Sequence, residues 1–419
     1  MLEDTTLRDA SAIAEKAFVL TYPLVLMSRI MAQATAVVAP EPDTMRAPIN
    51  ALVHARDTPD TLRSSGWFDL APEPIILSVP DTRGRFYALW LRDAWNNLFV
   101  SIGARTTGTA QGAFAVLGPG RHGMQLPPGL TPIVAPTRTV RVAGCIEAIG
   151  DSIDELFGDG RPGFDLVPLS RWGRDRLPAS PTSVAAGDPV EQVECMDARA
   201  FFADVFRLVG HNPPPDLAGR WALDRLHELG AHGSPAPDQH ASLQRGVQRG
   251  RAAIQAAAER SSDETAGPWQ ACFGLRDDGA DHLRRAAAVR SARSGDPPAD
   301  ALHARLDTDS DGRPLSGRFR YRMRFAPDAA PPVNGFWSLT SSGSAPSTSA
   351  HSTGDLRGLK LDRDGSLCIY LQPGRPARAR RSNWLPIPPD AFSVALHLYW
   401  PAEEALERRW SPPPVTRSE

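Results

Sequence analysis

Ile75-Ile-Leu-Ser-Val79, Phe86-Tyr-Ala-Leu-Trp-Leu91, Ala113-Phe-Ala-Val-Leu117 and Thr139-Val-Arg-Val-Ala-Gly-Cys145 are short runs of aliphatic and aromatic residues set off by Gly and Pro. Runs of this length and make-up read as β-strands. Asn97–Ile102 and Ile133–Ala135 add two more. With no long helical pattern between them, the strands are expected to pair antiparallel in a sandwich and not to alternate with helices around a parallel sheet. Asp81-Thr82-Arg83-Gly84-Arg85 joins the first two runs and is expected to close a hairpin.

Toward the N-terminus, Leu7, Ala10, Ile13, Ala14, Ala17 and Phe18 recur at helical spacing. Pro23 is expected to break or restart that helix, with Leu24–Val38 as a second helical segment. The most apolar stretch, Phe18–Met27, falls short of the roughly 20 residues that span a bilayer. The acidic start at Glu3 and Asp4 is unlike a signal peptide, so the segment reads as a helix docked on the core.

Toward the C-terminus, the proline-bearing stretch Arg171–Pro189 marks a boundary. Helical sets follow: Val193–Val209 ended by Gly210, Leu217–Leu229 ended by Gly230, Leu243–Ala258 and Leu283–Val289. Phe319, Tyr321, Met323 and Phe325 then alternate with Arg318, Arg320, Arg322 and Arg324, the pattern of a half-buried strand. Leu359–Leu361 and Leu367–Leu371 enclose Asp364-Gly365, a hairpin signal, and Phe392, Val394, Leu396 and Leu398 alternate again. Ser341–Thr353 is nearly all small and polar and is expected to be a mobile surface loop. The division is helices over 1–40, a sandwich over 41–175, a helical segment over 190–300 and a second sandwich over 301–419.

Length and composition agree with a multidomain globular chain: 419 residues exceed a single core, and 42% apolar with 22% charged residues is ordinary. A net charge of -2 gives no global field for nucleic acid or an anionic membrane. The cations are nearly all arginine, Lys16 and Lys360 being the lysines. Cys145, Cys195, Cys272 and Cys368 are scattered and read as small apolar residues, compatible with a cytoplasmic setting.

Several strings carry a resemblance. Tyr22-Pro23-Leu24-Val25, Asn50-Ala-Leu-Val-His54-Ala-Arg56, Val79-Pro-Asp81-Thr82, Asp93-Ala-Trp95-Asn-Asn97-Leu-Phe99, Gly103-Ala-Arg105-Thr-Thr-Gly108-Thr109, Gly118-Pro-Gly120, Ala135-Pro-Thr137 and Pro168-Leu-Ser170-Arg-Trp172-Gly173 resemble, in order, the domain known as DUF1254. Pro331-Pro-Val-Asn334-Gly-Phe-Trp337-Ser338-Leu-Thr340, Asp364-Gly-Ser-Leu, Ile369-Tyr370-Leu-Gln372, Ser382-Asn383-Trp384-Leu-Pro386 and Leu398-Tyr399-Trp400-Pro401 resemble its companion, DUF1214.

The resemblance implies a bacterial, mainly β protein with α: an immunoglobulin-like N-terminal β-sandwich, a helical middle segment and a C-terminal jelly-roll-like β-sandwich. It implies no activity. Two stretches depart from the family pattern. Pro59-Asp60-Thr61-Leu62-Arg63-Ser64 stands where relatives carry Asp-Thr-Leu-Tyr-Ser, and His351-Ser-Thr-Gly-Asp355-Leu-Arg357 where they carry Tyr-Ser and Gly-Asp-Arg-Thr.

The densest polar cluster is Asp81, Arg92, Asp93, Asn96, Asn97, Arg105, Thr106, Thr107 and Thr109. Asp93 beside Arg92 or Arg105 has the make-up of a general acid or base with a cation that lowers its pKa. In the alternative reading, Asp93 and Asn97 satisfy loop amides and the threonines form a turn. His54 and Arg56 face one groove if their segment is extended. The catalytic candidates are therefore Asp93, Arg105, Asp81 and His54. Arg92, Trp95, Asn97 and Thr107 are ligand-binding candidates, as are Trp337, Tyr370 and Trp384, whose rings suit stacking on a flat ligand or a sandwich core equally.

No HExxH, GxxxxGK[ST] or GxSxG pattern is present, so no metal or cofactor is expected. The expectation is a cofactor-independent enzyme of the lyase, hydrolase, isomerase or cyclase type. Its partner would be a small organic, secondary-metabolite or carbohydrate-like molecule, without nucleic acid or membrane, and self-association is left open. The rival expectation is a non-catalytic ligand-binding or assembly protein.

Overall fold

The computed structural model describes residues 2–148, 163–173, 187–231, 233, 236–260, 265–266, 269–272, 281–291, 295–343, 351–354 and 358–418. Helix takes 30% of the chain and strand 31%, so the helical part is as large a component as the sheets.

The N-terminal helix α1 (Leu2–Ala34) runs unbroken through Pro23, against the break expected there. A proline inside a helix costs about 3 kcal/mol or more. Ala17, Phe18, Leu20, Tyr22, Leu24, Val25, Leu26 and Met27 are all buried, so packing around the helix outweighs that cost. Its Ala10–Ala34 portion is long and apolar enough to cross a membrane by length and composition, longer than the sequence suggested, and 72% of its most apolar window is buried in the fold.

Five further helices pack with α1: α2 (Pro189–Glu194), α3 (Ala198–Val209), α4 (Leu217–Glu228), α5 (Pro237–Arg260) and α6 (His282–Arg290). The set expected as one helix over 193–209 divides because the Asp197 carboxylate accepts from Ala200 N and starts α3 afresh. Gly246 and Gly250 let α5 touch α1, since a Cβ on Gly246 would lie 2.5 Å from both the Ala14 Cβ and the Ser11 carbonyl oxygen.

The first sandwich contains β1 (Leu52–Thr58), β2 (Thr61–Asp69), β3 (Ile75–Val79), β4 (Tyr87–Asp93), β5 (Leu98–Gly103), β6 (Gly112–Leu117), β7 (Thr131–Val134), β8 (Thr139–Glu147) and β9 (Asp165–Pro168). One sheet has the order β1-β2-β8-β4-β5 and the other β7-β6-β3-β9. The Asp81–Arg85 connection therefore does not close a hairpin. It carries the chain between sheets, and Leu77 and Val79 of β3 meet Leu89 and Leu91 of β4 in the core.

The second sandwich contains β10 (Thr265–Ala266), β11 (Trp269–Cys272), β12 (Ala301–Leu306), β13 (Arg320–Phe325), β14 (Trp337–Gly343), β15 (His351–Gly354), β16 (Leu367–Gln372), β17 (Trp384–Pro386), β18 (Phe392–Tyr399) and β19 (Val415–Ser418), with a short helix α7 (Glu403–Leu406). Its sheets run β10-β11-β12-β18-β14-β15 and β17-β16-β13-β19. Strand β13 turns Tyr321, Met323 and Phe325 inward and its arginines outward, as its alternation requires.

The ends of the Ser-rich stretch pair as β14 and β15, Ser341 opposite His351, while 344–350 lie outside the described residues. Asp364-Gly365 forms its turn, with Gly365 at φ +82°, but Leu359–Leu361 is not a strand. Cys145 and Cys368 are buried as expected, and Cys195 is exposed.

The sandwiches meet at an apolar wedge, Phe86, Ala88, Trp90 and Cys145 against Ala301, Phe336 and Tyr399. The Phe336 and Tyr399 rings stack at 4.4 Å. Beside the wedge, buried Asp300 accepts from Trp90 Nε1 (2.9 Å), Ser101 Oγ (2.7 Å) and Arg105 Nε (2.7 Å), a clamp between the two units.

Candidate functional site

Two sheet faces turn toward each other around that wedge. On the first sheet, register partners share a face: Trp67, Arg141 and Arg92 form one row, Ser65, Ala143 and Trp90 the next, Arg63, Cys145 and Ala88 a third. Small residues stand in the middle of this face, with arginines and tryptophans around them. On the facing sheet, His303, His397 and Ser338 form one row, and Arg305, Ala395 and Thr340 the next.

The Gly295–Asp300 segment links the faces. Asp296, buried, accepts a bidentate pair from Arg63 (3.0 and 3.2 Å) and is 2.9 Å from His303 Nε2. His303 Nδ1 lies 2.9 Å from His397 Nδ1, and His397 Nε2 2.9 Å from Thr340 Oγ1. The Ser338 hydroxyl beside His397 is buried with no hydrogen bond among the described residues. A cavity of about 110 Å³ adjoins, lined by Trp269, Leu302, Leu396, Leu398 and Trp410 together with His303.

The electrostatics favour one charge distribution. Burial alone would raise the Asp296 carboxyl, but the His303 hydrogen bond and Arg63 hold it far below the usual range, so it is ionised. Burial, with His303 and Arg63 nearby, pushes His397 down to about 3, so it is neutral and carries one N–H. Burial, then Arg92 and Arg63, lowers Arg141 to about 10. Arg141 and His397 are half-buried. Tyr399, hydrogen-bonded by Thr61, is pushed well above its ordinary value, chiefly by burial.

These bonds permit two proton arrangements. With His303 neutral, its Nε2–H donates to Asp296, His397 donates Nδ1–H to His303, and Thr340 donates to His397 Nε2. A proton added to His303 reverses the chain: His303 donates to His397, which donates Nε2–H to Thr340. One proton taken up beside Asp296 is felt at the Thr340 hydroxyl.

The residues singled out from sequence are scattered around this site. Arg92 is buried beside the junction, donating to Asn96 O and Gly295 O at 3.2 Å, and Arg105 grips Asp300. Asp93 sits at the core side of the same strand end, accepting from Trp95 N, Asn97 N and Asn97 Nδ2. Burial raises it to about 6 against those bonds. Asn97 also accepts from Arg285. Trp95 is buried, its Nε1 donating to Asn212 O and Pro213 O. Thr107 Oγ1 is 3.1 Å from Tyr87 Oη.

Asp81 is exposed and accepts from Arg83 N in its turn. His54 lies on edge strand β1, 2.8 Å from Ser64 Oγ. Trp337 is in the second core, 5.6 Å from the Phe325 ring. Tyr370 and Trp384 are register partners on β16 and β17, with the Arg380 guanidinium 4.7 Å from the Tyr370 ring.

Asp296, His303, His397, Thr340 and Arg141 escaped the sequence reading. His397 did leave a trace: it stands between Leu396 and Leu398, so the alternation turns it away from the core. Arg63 lies in the stretch that departs from the family pattern.

A family model described as a protein of unknown function (DUF1254) matches residues 47–155, and one described as a protein of unknown function (DUF1214) matches 300–403. No curated protein matches the chain. The crystal structure of the VPA0106 protein from Vibrio parahaemolyticus is 23% identical, covers 98% of this chain and 100% of its own, and superposes with a TM-score of 0.75, which shows a shared fold. An uncharacterized protein from Burkholderia cenocepacia is 11% identical over 99% of this chain and 95% of its own, at a TM-score of 0.41.

Proposed function

Because the chain belongs to the family that pairs the DUF1254 and DUF1214 domains, we propose that it is a cofactor-independent enzyme that moves a proton on a small organic molecule held between its sandwiches. The observation that carries this is the His303–His397 pair, bonded in line between an ionised carboxylate and a hydroxyl. In the working cycle, Thr340 Oγ1 takes a proton from the substrate as its own proton passes to His397 Nε2. The His397 Nδ1 proton moves to His303, and the new cation rests against Asp296. Return of the proton to another substrate atom completes an isomerisation or elimination.

The test uses deuterium. Small hydroxy acids, keto acids and sugars are incubated with the chain in D2O, and C–H exchange is followed by proton NMR. His303→Asn and His397→Gln should slow exchange about 100-fold or more. Exchange unchanged in both variants rejects the role.

A second reading, a non-catalytic binding protein, draws on the Tyr370–Trp384 pair with Arg380, a half-exposed platform on which a sugar ring stacks. Under that reading Trp384→Ala loses saturable binding of sugars and no product forms. The proposal also includes a cytoplasmic setting, consistent with the free thiols of Cys145, Cys195 and Cys368, and immunoglobulin-like and jelly-roll topologies for the two sandwiches.

A further inference from the structure

We infer that the second sandwich holds a site for a small apolar molecule, a single aromatic ring or a short hydrocarbon, in the cavity between strands β12 and β18 and the chain that follows α7.

The cavity has a volume of about 110 Å³ and is half-enclosed. One wall is a single face of two paired strands, with Leu302 opposite Leu398 and Ala304 opposite Leu396. His303 and His397 alternate with these residues and meet each other on the opposite face, so the cavity is separate from the histidine chain. Trp269, Ala405 of α7 and the Trp410–Pro412 segment complete the wall. After α7, Arg408 takes left-handed backbone at φ +59°, and Arg409 N and Trp410 N both donate to Glu404 O, a turn that brings Trp410 to the cavity.

This lining offers a polar guest little to bond. Both indole N–H groups are used elsewhere, Trp269 Nε1 donating to Pro413 O and Trp410 Nε1 to Ala329 O, each at 3.2 Å. Leucine and alanine side chains have no donor or acceptor. Water in such a space lacks the about two to four partners it needs, whereas an apolar cavity of about 150 Å³ takes up benzene or xenon. Ordinary core packing would have filled the space with larger side chains at positions 304 and 405. Ala304 and Ala405 keep it open, and a ring seated there can point a substituent past exposed Ser411 to solvent.

The test titrates the chain with toluene and locates the site in xenon-pressurised crystals. Saturable toluene binding is expected, seen as a change in tryptophan fluorescence and a rise in melting temperature, with xenon between Leu396 and Trp410. Ala405→Phe should weaken toluene binding about tenfold or more, while the melting temperature of the free protein holds or rises because the added ring fills existing space. Ala304→Leu fills the same space from the strand side and serves where Ala405→Phe does not fold. His397→Gln should bind toluene as the native chain does and still lose deuterium exchange, so this site and the proton-transfer reading stand or fall separately. The inference is overturned if toluene binding does not saturate, if xenon is absent from the cavity, if a folded filling variant binds toluene as well as the native chain, or if neither filling variant folds.

Discussion

His303 and His397 stand opposite each other on β12 and β18 with Nδ1 facing Nδ1 at 2.9 Å, so one of the two nitrogens must hold the proton and the other must accept it. Asp296 on one side and Thr340 on the other fix which arrangement goes with which charge.

The first prediction concerns that proton and its effect on stability. At neutral pH His397 should be the neutral Nδ1–H tautomer, read directly from nitrogen-15 shifts. Its pKa falls from an ordinary 6.5 to about 3 in the fold. A depressed histidine binds protons more readily when unfolded, so its contribution is fully present above pH 6.5 and is lost as pH falls toward 3. The loss is on the order of 5 kcal/mol. Urea unfolding across that range should flatten in His397→Gln; an unchanged slope would show that His397 is not held neutral.

Asp93 should act in the opposite direction. Its folded pKa is raised to about 6 from 3.8, so the folded state binds the proton more tightly. Its contribution is fully present below pH 3.8 and is lost as pH rises through 6, on the order of 3 kcal/mol. Asp93→Asn should remove this part of the pH dependence in denaturant titrations between those limits.

Removing the junction clamp should be costly. Asp300→Ala strips one acceptor from Trp90, Ser101 and Arg105, and breaking a buried pair this way costs about 3–5 kcal/mol. Asp300→Asn should cost less, since an acceptor oxygen remains. A loss below about 1 kcal/mol in chemical denaturation of Asp300→Ala would mean that the apolar wedge alone joins the sandwiches.

Gly246→Ala sets two effects against each other. Helix propensity favours alanine by about 1 kcal/mol, whereas the added Cβ meets the Ser11 carbonyl and Ala14 at 2.5 Å. Overpacking of this kind costs about 1–3 kcal/mol. The contact is partly with backbone, which cannot rotate away, so the midpoint of thermal unfolding should fall.

Much of the fold was readable because its signals are local. Alternation in Tyr321-Arg-Met-Arg-Phe325 sets which side of β13 is buried whatever lies across from it. Pro23 shows the limit: the same local rule predicts a break, and burial of its neighbours from every side overrides it. Asp81–Arg85 shows another, since a turn sequence says that the chain reverses but not whether the next strand joins the same sheet.

By itself, then, the sequence determined that there would be two β-sandwich-like units with helices between them, because periodicity and turn chemistry act over a few residues. It also placed Arg92 and Arg105 among the residues of interest. Only the tertiary structure decided the site: His303 meets His397 across 94 positions and Arg63 meets Asp296 across 233. A histidine or arginine on an outward strand face looks the same in sequence whether water or another domain lies opposite, and docking of the sandwiches settles which.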